Sequence, residues 1–191
     1  MAAREILPLT GHDEADRLLA TDPLALLIGM VLDQQVPLEW AFRGPLTLKE
    51  RLGGSLDCTA IATMDAETLG AAFKGPPALH RFPGSMAERV QKMCQHLVET
   101  YGGQADLVWS NAKTGSELRK NIEALPGFGK QKAQIFTALL AKMFDVKPPG
   151  WQDAAGPYWE KGFQSVADID GPEALAKVRE YKRQKKVAAS N

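Results

Sequence analysis

Ile122-Glu123-Ala124-Leu125-Pro126-Gly127-Phe128-Gly129-Lys130-Gln131-Lys132-Ala133 is the stretch whose reading settles the architecture. Two helical patterns meet in it across a short turn. Before the turn Leu118, Ile122 and Leu125 recur at helical spacing, and after it Ala133, Phe136, Leu140 and Met143 do the same. Gly127 and Gly129 admit backbone angles that other residues resist, and Pro126 stiffens the approach. Such a turn leaves backbone N–H groups at a helix start aimed at one point outside the protein. Free donors and the helix dipole both favour an anion there, and phosphate fits. Lys130 and Lys132 add charge that demands no base sequence. An ordinary helix–helix connection with a glycine cap is the plainer alternative.

Composition frames what surrounds this turn. The 191 residues suffice for one domain or two small lobes with a real core, and an apolar content of 45% excludes disorder as the default. The formal net charge is zero, so any nucleic-acid face must come from local clustering. Two cysteines, Cys58 and Cys94, exclude a disulfide framework or a four-cysteine cluster. Arg4, Glu5 and Asp13 interrupt the amino terminus where a signal peptide needs an apolar run, and no stretch is long enough to span a bilayer. A cytoplasmic protein is expected, associated with the nucleoid if bacterial.

Upstream of the turn the pattern is helical throughout. A short helix is expected over Asp13 to Ala20. Asp22-Pro23 then supplies an N-cap followed by proline at the first helical position. Leu24 to Leu32 is apolar nearly all round, which suits a helix buried on every side. It ends abruptly in Asp33-Gln34-Gln35-Val36-Pro37, placing two amides at a rim, and the next helix carries Trp40 and Phe42. Leu46 to Leu52, Cys58 to Met64 and Asp65 to Phe73 read as short helices joined by turns. Ser85 is the expected N-cap of a long helix ending at Tyr101-Gly102-Gly103. Thr114-Gly115-Ser116-Glu117 has the form of a capping box and opens the first hairpin helix. Strand signals are essentially absent, and the fold class is all-α.

This order resembles a known family. A buried helix ending in Gln34-Gln35, short helices, a Gly84-Ser85-Met86-Ala87 turn, a long helix and Leu125-Pro126-Gly127-Phe128-Gly129-Lys130 are similar to the helix-hairpin-helix (HhH-GPD) DNA glycosylases, the group of endonuclease III and the MutY-type adenine glycosylases. The resemblance runs from about Leu24 to Asp153. It implies a two-lobed all-α fold with DNA in the cleft between the lobes: residues 18–143 forming a helical barrel lobe with the hairpin, and 1–17 with 144–191 forming the second. It also implies that Gln34, Gln35, Gly127, Phe128, Gly129, Lys130, Gln131 and Lys132 touch DNA. Gln35 matches the residue that fills the space vacated by an extruded base, extrusion being needed because the scissile bond is unreachable inside the stack.

Two departures from that family shape the expected chemistry. Bifunctional relatives carry a lysine two residues past the second hairpin glycine, which attacks the sugar to form a Schiff base. Gln131 stands there, and an amide is no such nucleophile. Lys130 and Lys132 flank it but point about 100° away around the helix. The expected activity is therefore monofunctional, using water. The second departure is the catalytic aspartate beyond the second hairpin helix. Gapless counting puts Pro149 in its place, and with a short insertion Asp153 becomes the candidate, Asp145 the next. A carboxylate is needed because N-glycosidic cleavage builds positive charge on the sugar. The plainer role for Asp153 is an acid favoured by a helix start.

The carboxyl-terminal region lacks the iron–sulfur relatives' cysteine cluster, so no cofactor is expected. His12, His80 and His96 have no metal-ligand spacing, so no metal is expected either. Trp151, Tyr158, Trp159 and Phe163 either pack a lobe or line a base pocket. A last helix, Glu173 to about Lys186, carries Lys177, Arg179, Lys182, Arg183, Lys185 and Lys186 against Glu180, and is either a solvated face or a phosphate-tracking one. The reading is a monomeric, monofunctional DNA N-glycosylase acting on double-stranded DNA that contains a damaged or mispaired base, without a membrane partner. The alternatives are a non-catalytic DNA-binding module of the same fold and a helical protein-interaction domain.

Overall fold

The computed structural model describes residues 4–188 apart from the side chain of Lys186. The outermost residues of the expected second lobe, 1–3 and 189–191, lie outside it. Among the described residues every regular element is a helix, and none is long and apolar enough to cross a membrane.

Helix α1 (Asp13–Thr21) leads into α2 (Pro23–Leu32) through Asp22, whose carboxylate accepts from the N–H groups of Leu24 and Ala25 at 2.9 and 3.1 Å. Proline at the first position of α2 lacks only an N–H that a helix start leaves unpaired. Every residue from Leu24 to Leu32 is buried, as an apolar run with no polar face requires. Helix α3 (Leu38–Arg51) packs against α2 and differs from the expected pair of elements. The helix continues unbroken through Gly44-Pro45 instead of ending there. Its reason is close packing: a Cβ on Gly44 would lie 2.5 Å from Leu32 Cδ1, so glycine lets α3 approach α2. Burial of that seam outweighs the one hydrogen bond Pro45 forfeits.

Helices α4 (Cys58–Thr63) and α5 (Ala66–Lys74) are capped by Asp57 and Asp65 and lie against the long α6 (Pro83–Tyr101). Helix α6 begins at Pro83, two residues before the expected Ser85 cap, because proline at N1 fixes the first turn without a side-chain cap. Its buried stripe is Met86, Ala87, Val90, Met93, Cys94 and Leu97, and Gly102 ends it in the left-handed conformation (φ 62°). Cys58 and Cys94 are free and buried, so neither thiol is offered to solvent.

The short α7 (Leu107–Ser110) precedes α8 (Gly115–Glu123), the first hairpin helix. Thr114 accepts from the Glu117 N–H at 3.1 Å, while the Glu117 carboxylate reaches back to the N–H of Lys113 rather than Thr114. Helix α9 (Lys130–Phe144) follows the turn. Beyond it the chain doubles back: α10 (Trp151–Ala155) packs on both α8 and α9, and 3-10 turns at Gly156–Trp159 and Val166–Asp168 line α9. Helix α11 (Pro172–Ala188) ends the described chain. One continuous core takes in Leu7 and Leu9, α2, α6, α9 and the carboxyl-terminal turns; a small cluster of Ala15, Leu18, Ala25 and Leu46 lies under α1.

Candidate nucleic-acid interface

Gly127 is the one hairpin residue with a left-handed backbone (φ 94°), and a Cβ there would meet Arg89 Cδ at 3.0 Å and Val31 Cγ2 at 3.4 Å. The turn is thus pressed against the end of α2 and the first turns of α6. Gly129 differs: its φ is −90°, and a Cβ on it would meet nothing within 4 Å. It is the N-cap of α9 and gives no side-chain bond to the first-turn N–H groups. Those donors lie open beside the exposed Lys130 at the positive end of the helix, an arrangement whose electrostatics favour an anion.

The three side chains after Lys130 and before it divide differently from the sequence expectation. Phe128 turns inward, buried against Phe136 with ring centroids 5.8 Å apart, so only its backbone faces outward. Gln131 donates from Nε2 to the Tyr158 hydroxyl at 2.8 Å, fixing the head of α9 to the returning carboxyl-terminal chain. Lys132 also points inward. Its ammonium donates to the carbonyls of Met30 (2.5 Å) and Val31 (3.4 Å), which the end of α2 leaves without helical partners. Burial pushes its pKa down to about 8, against the opposing pull of Asp33 and with the help of Arg89 and Lys182. A lysine read from sequence as a surface phosphate contact is therefore, in the folded chain, the cap of another helix.

The same helix end carries Gln34 and Gln35. Gln34 is half-buried, with its Nε2 3.3 Å from Met86 Sδ. Its carbonyl lies 2.9 Å from Nε2 of His80, while Nδ1 of the same ring accepts from the Phe82 N–H at 3.1 Å. His80 is fully buried, and these two bonds assign its proton to Nε2. Gln35 is exposed and holds φ 56°, a backbone conformation that glutamine rarely adopts. Such strain persists only where the surroundings over-determine it. Lys132 from α9 and His80 from before α6 do so here, gripping the turn from two sides.

Gln34 and Gln35 line a concavity of about 200 Å³ with Phe82, Ser85, Met86 and Arg89. Phe82 is 46% exposed beside them, an apolar ring that core packing does not use. Nothing in the residues around Phe82 singles it out, and only the fold shows its ring left outside the core. Tyr158 stands among aromatics that either pack a lobe or line a base pocket, and only the folded chain brings its hydroxyl to Gln131.

The structure does not bring Asp153 into this concavity. Asp153 lines a separate groove of about 520 Å³ with Ser116, Arg119, Lys120 and Glu123 of α8. Asp145 sits at the opposite end of α9 from the hairpin, where it takes φ 57° as the helix cap and pairs with Lys147. The carboxylate beside Gln34 is Asp33, which caps α2 and interacts with the Lys132 ammonium.

A family model described as HhH-GPD superfamily base excision DNA repair protein matches residues 28–187. No curated protein matches the chain. That match embraces the Gln34-Gln35 turn, α6, the hairpin and most of α11, and it agrees with the all-α architecture. The chain belongs to the HhH-GPD superfamily of base excision DNA repair proteins.

Proposed function

We propose that this protein is a monofunctional DNA N-glycosylase, which extrudes a damaged or mispaired base and hydrolyses its N-glycosidic bond with water. The observation that carries the reading is the head of α9: the position from which a lysine would attack holds Gln131, whose amide is bonded to Tyr158. Lys132 is turned into the end of α2. Duplex DNA would be held by phosphate at the α9 N-terminus, with Gln35 entering the space left by the extruded base and Phe82 wedged alongside. Water then attacks the sugar as the base leaves with the bonding pair, and a carboxylate stabilises the developing positive charge. Sequence position favours Asp153 for that carboxylate; proximity to Gln34 favours Asp33.

The test is a panel of lesion and mispair duplexes, read as abasic sites that break only after alkali. No borohydride-trapped protein–DNA adduct should form. A strong trapped band would overturn the monofunctional reading and point to Lys130 or Lys132. Asp153→Asn and Asp33→Asn, each nearly isosteric, separate the two carboxylates. The one that matters should lose roughly 10²-fold or more in base release while still binding duplex.

A further inference from the structure

Helix α11 changes character halfway along. Ala174, Leu175 and Val178 are buried and anchor its first half, and beyond Val178 no described residue of it is buried. What holds the second half is charge. Arg179 pairs with Glu39 at the start of α3, and Lys182 Nζ lies 3.8 Å from Asp33 at the end of α2. Those two carboxylates bracket Gln34 and Gln35, and each is only 16% exposed. Left alone they would place two negative charges where phosphates have to approach. Arg183 and Lys185 continue the positive run; among the described residues Arg183 pairs with Glu180 of its own helix, and Lys185 lies over Tyr181.

The cationic ends of these pairs are 58% and 46% exposed, so water screens them and they seat the arm without locking it. Their anionic partners are chemically interchangeable with phosphate, which also attracts the guanidinium of arginine in a two-pronged bond. We propose that residues 179–185 form a DNA-backbone-binding arm. The arm rests on Asp33 and Glu39 when DNA is absent and grips phosphates beside the extruded base when DNA is bound. This rests on the DNA-repair reading of the hairpin, and it explains how a chain of zero net charge assembles a cationic face.

The experiment is duplex binding across a salt series with the full chain, comparing wild type, Lys182→Gln/Arg183→Gln/Lys185→Gln, Glu39→Gln and Gly129→Val. The triple variant should weaken binding about equally on all sequences. Its slope of log affinity against log salt should fall by about two to three, each lost phosphate contact removing about 0.9. Glu39→Gln should tighten binding by about threefold, since it removes a competing anion. An unchanged slope in the triple variant overturns the arm, and so does tighter binding, which would make α11 a cover. If the triple variant shifts the thermal midpoint, Arg183→Gln alone carries the test, with a slope change of about one expected. Wild type that binds no duplex, or Gly129→Val that binds as well as wild type, instead overturns the hairpin reading beneath it.

Discussion

Gln35 concentrates the site's logic in one backbone angle. A glutamine at φ 56° costs stability that glycine would not, by about 1 kcal/mol or more. Gln35→Gly should therefore leave thermal stability unchanged or higher, while base release falls at least tenfold because the void is no longer filled. Gln35→Ala should likewise lower lesion processing more than intact-duplex affinity. Equal losses in both measurements would make the glutamine structural. The two hairpin glycines should also separate. Gly129→Val adds its side chain to open space and should abolish most DNA affinity with the fold intact. Gly127→Val meets Arg89 and Val31 and forces a left-handed valine, so it should lower the unfolding midpoint as well. Circular dichroism melts beside binding curves distinguish them. The sequence showed the glycine spacing but not which glycine was packed and which open, because that depends on α2 and α6 arriving from elsewhere in the chain.

At the scale of elements, the hairpin and the end of α2 act as one unit through Lys132. Its folded pKa of about 8 lies below the value of about 10.4 for a solvated lysine. Between these values the unfolded chain holds the proton and the folded chain does not, so stability should rise with pH from 8 towards 10. The rise is bounded at about 3 kcal/mol, and below pH 8 the cost of the buried charge is fully present. Lys132→Met removes the titration. Urea unfolding at pH 8 and pH 10 should show the wild-type gain missing in that variant. If both proteins change equally, the ammonium is not the group responsible. Helix existence was largely legible from periodicity: α1, α2, α5, α8 and α9 lie close to where caps and apolar spacing put them. The failures were positional. The continuity of α3 through Gly44-Pro45 depends on a contact with Leu32, and the inward turn of Lys132 depends on carbonyls over a hundred residues earlier.

Across the whole molecule, the returning carboxyl-terminal chain ties the far end of α9 back to α8, and Gly115 is where it touches. The Gly115 N–H donates to the Pro149 carbonyl at 2.8 Å, and a Cβ on Gly115 would lie 2.3 Å from the Gly150 carbonyl oxygen. Backbone on both sides leaves no flexible side chain to yield. Gly115→Ala should therefore push the 149–151 loop outward and destabilise the protein by about 1–3 kcal/mol, the usual cost of overpacking. That should outweigh the roughly 0.5–1 kcal/mol an alanine normally gains over glycine inside a helix. Gly129→Ala, which meets nothing, should be near neutral in the same urea titration. The displaced loop leads into α10, which carries Asp153, whereas the Gln34-Gln35 turn and the open face of Gly129 lie on other contacts. Under conditions where Gly115→Ala remains folded, duplex affinity should thus be kept. Base release should fall if Asp153 is the working carboxylate and persist if Asp33 is, so this backbone variant arbitrates between them without touching either acid.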